Sequence, residues 1–228
     1  MKKILIAVAI TLIGSSAAFA AQSIKLTKHN LSSTATSNNV RSTDQSQICI
    51  FCHTPHNAVP SVPLWNRDGS AGTYKLYTSS ATLTSATKAA ALNADSYSMM
   101  CLSCHDASSA QIIGDRVNGL ASVPTMTGTN WLTGGGNIGS GQDLTNDHPI
   151  GFSYSLAQTE DSTGLRVIGT ANSNLGLASG TAFPKNKTSG MTDVMECSSC
   201  HLVHDNTNAP FLRISNAGSA LCLACHNK

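Results

Sequence analysis

The chain has 228 residues, of which 11% are charged, 5% aromatic and 41% hydrophobic, and its formal charge is +2. So balanced a charge argues against nucleic-acid binding, which needs a basic surface. Large apolar side chains are too few for the polypeptide to build a substantial core from its own residues.

Residues 1–20 read as a secretory leader. Lys2 and Lys3 form the basic start, residues 4–13 the apolar stretch, and Ala18-Phe19-Ala20 the small-residue cleavage signal. The apolar stretch is too short to span a bilayer. Removing the leader leaves 12 basic residues against 12 acidic ones. Residues 21–228 are expected to form one domain with no linker. The expected destination is extracellular or the outer cell surface, with the periplasm as the alternative.

Every cysteine falls in one of four Cys-x-x-Cys-His motifs: Cys49/Cys52/His53, Cys101/Cys104/His105, Cys197/Cys200/His201 and Cys222/Cys225/His226. This is the signature of covalent c-type haem attachment. On a helical turn, residues three and four apart share a face. The two thiols and the imidazole therefore address one porphyrin, with the His as proximal iron ligand. A disulfide framework or closed zinc sites also use paired cysteines. Neither accounts for a His after every pair. Four covalently bound haems c are expected, serving as the core that the polypeptide wraps. A haem-free chain is expected to be largely disordered.

Four further histidines remain, His29, His56, His148 and His204, one for each haem. They are the candidate distal ligands of bis-His irons. His56 and His204 each follow a motif histidine by three residues. They share its side of a helical turn and cannot close the opposite face of the same haem. Each is therefore expected to reach a neighbouring haem. For His148, Asp147 or a backbone carbonyl would orient the ring. Met99, Met100, Met126, Met191 and Met195 are rival ligands in principle, but are read as packing residues.

Asp44-x-x-Gln47 and Asp193-x-x-Glu196 read as capping boxes ahead of the first and third motifs. Asp95 or Ser96 is expected to cap the helix of the second motif, and Ser219 that of the fourth. Residues 86–94 suggest a short helix and 163–170 a strand or hairpin arm. The long interval 106–196, with Gly134-Gly135-Gly136, is otherwise loop. Trp65 reads as packing, either on a haem edge or in an ordinary apolar contact. The fold class is thus mostly irregular and loop-rich with short α-helices, a multihaem cytochrome c wrapped around four haems.

The ordered set of Lys28-His29-Asn30-Leu31-Ser32, Cys49-x-x-Cys52-His53-Thr54-Pro55-His56, Pro63-Leu64-Trp65-Asn66-Arg67, Asp147-His148-Pro149-Ile150-Gly151, Cys197-x-x-Cys200-His201-x-x-His204 and Cys222-x-x-Cys225-His226 resembles the filament-forming outer-membrane tetrahaem c-type cytochromes E of metal-reducing bacteria. The resemblance spans residues 28–226. It implies bis-His haems in alternating stacked and T-shaped contacts, polymerisation, and one distal His supplied by the next subunit. His29 is the expected trans ligand, on the Cys222–His226 haem of the neighbour, because a polar arm of twenty residues reaches roughly 65 Å when extended.

The expected function is extracellular electron transfer by a non-enzymatic conductor. Its partners would be copies of itself, redox proteins and an extracellular acceptor, with no nucleic acid. A soluble periplasmic shuttle is the first alternative. A multihaem reductase is the second, and it would need an open axial position.

Overall fold

The computed structural model of the chain describes residues 24–36, 40–58, 64–67, 72–106, 124–127, 137–138 and 140–228. Residues 1–20, read above as a leader, and Gly134-Gly135-Gly136 lie outside the described residues. The architecture is loop-rich, as the composition predicts. Helices are short: Ser85–Lys88, Tyr97–His105, Tyr154–Glu160, Ile168–Asn174, Cys197–Cys200 and Ala220–Cys225. Strands are two residues long and pair in twos. Arg41–Ser42 runs antiparallel to Met126–Thr127, Lys75–Leu76 parallel to Asp143–Leu144, and Phe152–Ser153 antiparallel to Val194–Met195.

Among the described residues the apolar side chains gather in three small clusters, and each touches a motif. The largest holds Phe152, Tyr154, Phe183 and Met195 with Ala224 and Cys225 of the fourth motif. A second surrounds Phe51, and Cys52 of the first motif and Cys104 of the second both pack on it. The third joins Met99 and Leu102 to Leu144. Met99 and Met195 are thus buried packing residues.

The helix Tyr97–His105 begins at Ser96, whose extended backbone places it at the cap position. Ser96 Oγ accepts the Asn93 N–H at 3.1 Å instead of bonding into the helix. Ser219 precedes the last helix, in the left-handed region and without a side-chain cap bond. Both expected capping boxes resolve differently. Asp193 reaches away from the third motif and accepts the Ser155 N–H at 2.6 Å and the Ser153 Oγ–H at 2.8 Å. It supports the first turn of the helix Tyr154–Glu160, whose cap is Ser153, and Glu196 itself caps Cys197–Cys200 with Ser199. Asp44 accepts from Ser42 Oγ at 2.7 Å and from the Thr125 N–H at 3.0 Å, bracketing the strand pair. A carboxylate takes whichever N–H donors the tertiary fold brings nearest, and local spacing does not report those.

Within 86–94, helix is confined to Ser85–Lys88. Segment 163–170 is a turn leading into a helix, and its extended part is a single antiparallel bridge of Leu165 to His226, flanked by the Arg166 N–H bond to the Cys225 carbonyl at 2.8 Å. The Gly164 N–H bonds Asp161 Oδ1 at 2.9 Å, closing the turn ahead of the bridge. Gly151, directly after the His148 segment, is required by space and by conformation. Its φ is +80°, and a Cβ would lie 2.7 Å from the Ala91 carbonyl oxygen.

Candidate haem centres

Each motif forms a tight turn that stacks its first Cys under its His. The His53 N–H bonds the Cys49 carbonyl at 2.8 Å, His201 the Cys197 carbonyl at 3.0 Å, and His226 the Cys222 carbonyl at 2.9 Å. Cys101–His105 makes the same turn at the end of its helix.

Three motif histidines face one of the four further histidines. His53 faces His204 with ring centroids 6.0 Å apart. His105 faces His29 at 6.1 Å. His226 faces His148 at 6.3 Å. An imidazole nitrogen bonds a first-row metal at about 2.0–2.1 Å, so two rings on opposite faces of one iron have centroids about 6.3 Å apart. The centroid separations therefore match those of two imidazoles on opposite faces of one iron. The indole N–H of Trp65, beside His53 with ring centroids 6.0 Å apart, is buried without a partner, as a donor awaiting an acceptor outside the polypeptide would be.

The ring orientations suit the same task. His148 Nδ1 lies 2.8 Å from the Pro149 carbonyl, and His201 Nδ1 lies 3.1 Å from the Pro210 carbonyl. A carbonyl only accepts, so Nδ1 carries the proton and Nε2 keeps its lone pair for a metal. For His148 the orienting group is thus its neighbour's carbonyl. Asp147 Oδ2 is buried without a hydrogen-bond partner, and burial next to Asp143 raises its carboxyl above the ordinary range. His29 bonds the Val203 backbone, and its ring stacks on Phe211 at 4.4 Å. Burial, with His105, His204 and His201 nearby, lowers His29 to about 4 and keeps it in the neutral, ligating form.

This geometry differs from the expected role of His29. Its segment is folded back by local bonds, Thr27 Oγ1 to the Ile24 carbonyl at 2.8 Å and Asn30 Nδ2 to the Lys25 carbonyl at 2.8 Å. It does not extend. His29 lies against His105 of its own chain, and the place beside His226 belongs to His148. His56 and His201 are the histidines left over. The Thr54 hydroxyl pins the His56 carbonyl at 2.6 Å, and the His56 side chain is exposed. Neither ring is part of an imidazole pair among the described residues, although His201 lies within electrostatic reach of His29.

The attachment cysteines run as a row. Cys52 and Cys104 meet on Phe51. The Cys101 and Cys197 thiols are hydrogen-bonded. Cys200 lies within electrostatic reach of Cys225 and Cys222. Burial pushes Cys52 up to about 12 and Cys200 to about 11.

Three residues that the motif reading passed over belong to this region. Arg67 and Glu196 are fully buried polar side chains beside the cysteines, and Phe211 is the platform under His29. Glu196 was legible only as a capping residue and Arg67 only within a segment that carries the resemblance, because burial of a charge is not visible in spacing.

Residues 191–228 match the family described as the doubled CXXCH motif, a stretch that contains the third and fourth motifs. No curated protein matches the chain. The CXXCH motifs indicate covalently bound haem c, and the doubled arrangement is that of multihaem c-type cytochromes, whose general work is electron transfer.

Proposed function

We propose that the chain is a tetrahaem electron conductor, exported from the cell, that polymerises into an extracellular filament. Three irons are bis-His within one chain: His53 with His204, His105 with His29, and His226 with His148. The fourth, carried by Cys197, Cys200 and His201, takes its distal ligand from His56 of a second copy. The observation that carries the reading is the set of three facing imidazole pairs at 6.0–6.3 Å on a contiguous row of cysteines. Bound haem supplies the one-electron couple. The polypeptide supplies attachment, axial imidazoles and spacing. His/His ligation keeps potentials below those of His/Met irons.

Filament formation is supported by the exposed His56, which is in no imidazole pair among the described residues, and by the resemblance to filament-forming tetrahaem cytochromes. Cryo-electron microscopy of the native holoprotein tests it. A helical polymer with four haems per subunit and His56 on a neighbour's iron is the expected result. Discrete monomers with His56 folded onto the third iron would make the protein a diffusing shuttle. Carbon monoxide binding to the reduced monomer would instead reveal an open third iron and favour a reductase.

A further inference from the structure

The facing imidazoles do not all cross at the same angle. His53 and His204 lie 28° from parallel, whereas His29 and His105 lie at 75° and His148 and His226 at 69°. Two neighbours set the plane of His29. Its ring lies 14° from the plane of Phe211 with centroids 4.4 Å apart, and its N–H bonds the Val203 carbonyl. A flat face and an edge bond together fix how the ring is turned. Both come from one loop, the segment that follows the third motif.

Phe211 is itself held where a bulky residue seldom sits. Its φ is +60°, in the left-handed region. Both of its backbone groups are tied down. The N–H donates to Asn206 Oδ1 at 2.8 Å, and the carbonyl accepts the Leu202 N–H at 2.7 Å. Two residues on, the Arg213 N–H bonds the Cys200 carbonyl at 3.0 Å. The ring is thus anchored to the turn of the third motif while it serves an imidazole beside the second. Backbone strain of this kind persists only where the surrounding bonds over-determine it, and it gathers at functional positions.

We propose that Phe211 is a positioning residue that crosses His29 over His105 and so sets the electronic type of the second iron. The inference rests on the pairing of His29 with His105 in the proposed ligand set. Groups that orient an axial ligand tune the metal it binds. In a low-spin ferric iron the unpaired electron occupies one of two dπ orbitals. An imidazole donates π density into the one whose lobes stand across its ring plane. Aligned rings act on the same orbital and split the two apart. Crossed rings act on one each and leave them nearly degenerate. The first iron, with its rings near parallel, is therefore expected to give a rhombic three-line resonance. The second and fourth are expected to give strongly anisotropic signals with one large g value. Phe211 makes the second iron one of the crossed class.

Electron paramagnetic resonance on frozen, oxidised holoprotein tests this with Phe211→Leu, Phe211→Tyr and His29→Ala. Phe211→Leu keeps an apolar side chain and removes the flat face. It is expected to stay low-spin and to move one large-g signal toward the rhombic form. Phe211→Tyr keeps the face and is expected to retain the parent spectrum. His29→Ala is expected to lose that same large-g signal and gain high-spin iron. Release of His29 in Phe211→Leu, seen as high-spin iron and rescued by Phe211→Tyr, also supports Phe211 as its seat. An unchanged spectrum in Phe211→Leu, or equal changes in the Leu and Tyr variants, would overturn the positioning role and leave the ligand pairs standing. Loss of a rhombic signal in His29→Ala would overturn the crossed geometry, even where neither Phe211 variant takes up haem. A His29→Ala protein that stays fully low-spin would instead sink the pairing itself.

Discussion

The imidazoles of His53 and His204 lie 6.0 Å apart and 28° from parallel, although one closes the first motif and the other follows the third. Each arrives on a short turn after a Cys-His pair. Their meeting sets the first and third attachment turns side by side, and under the proposed ligand set His204 serves a haem attached to a different motif.

His204→Ala is therefore expected to leave all four thioether attachments intact and to convert about a quarter of the iron from low-spin to high-spin, the share of one bis-His centre in four. Electron paramagnetic resonance on the oxidised protein reads this directly. A spectrum that stays fully low-spin would remove His204 from the ligand set.

His29 and His56 are expected to separate ligation from assembly. His29→Ala changes the iron of the second motif and leaves polymers intact. His56→Ala changes the iron of the third motif and abolishes polymers. Light scattering and negative-stain microscopy, taken with the iron spin state, distinguish the two. Polymer loss in His29→Ala alone would restore the trans role to His29.

The pH dependence follows from His29. Burial lowers it to about 4 in the fold, from an ordinary 6.5. Above pH 6.5 the ring is neutral in both states. As pH falls from 6.5 toward 4, the unfolded chain takes up a proton that the folded one refuses, so stability declines. Below 4 this contribution levels off. Melting temperatures measured between pH 7 and pH 4 should show the decline. His29→Met, which keeps a ligand atom without a titrating imidazole at that position, should flatten it and raise one haem potential.

The packing against the fourth motif is expected to govern stability there. Phe183 is fully buried and stacks on Tyr154 with centroids 4.4 Å apart, and the Tyr154 hydroxyl donates to the Arg166 carbonyl at 2.8 Å. Phe183→Ala should cost about 3–5 kcal/mol through lost burial and the cavity left behind. Tyr154→Phe should cost only about 0.5–1.5 kcal/mol, one hydrogen bond. Denaturant titration of the holoprotein gives both values, and a Tyr154→Phe loss as large as that of Phe183→Ala would contradict the ranking.

The attachment turns were legible because their chemistry is local. A Cys, a second Cys three residues on and a His one further need only one helical turn to face a porphyrin. The loop-rich fold was legible too, because few large apolar residues and many Ser, Thr, Asn and Gly rule out long packed elements. The capping carboxylates were less so. Asp193 and Glu196 have the spacing of a box, yet Asp193 turns to Ser153 and Ser155 while Glu196 bridges to Ser98.

The count of distal imidazoles could likewise be read from the chain, but not their partners. His29 was expected on the last haem because an extended arm reaches that far. The arm is folded by Thr27 and Asn30, and its imidazole rests on Phe211. The sequence by itself determined where covalent haem is expected to attach, since each motif is complete within five residues. Only the tertiary structure decided which imidazole meets which motif, in what order the motifs touch, and where Arg67 and Glu196 come to rest. Those depend on chain segments far apart in sequence, brought together by burial and hydrogen bonding that no local pattern encodes.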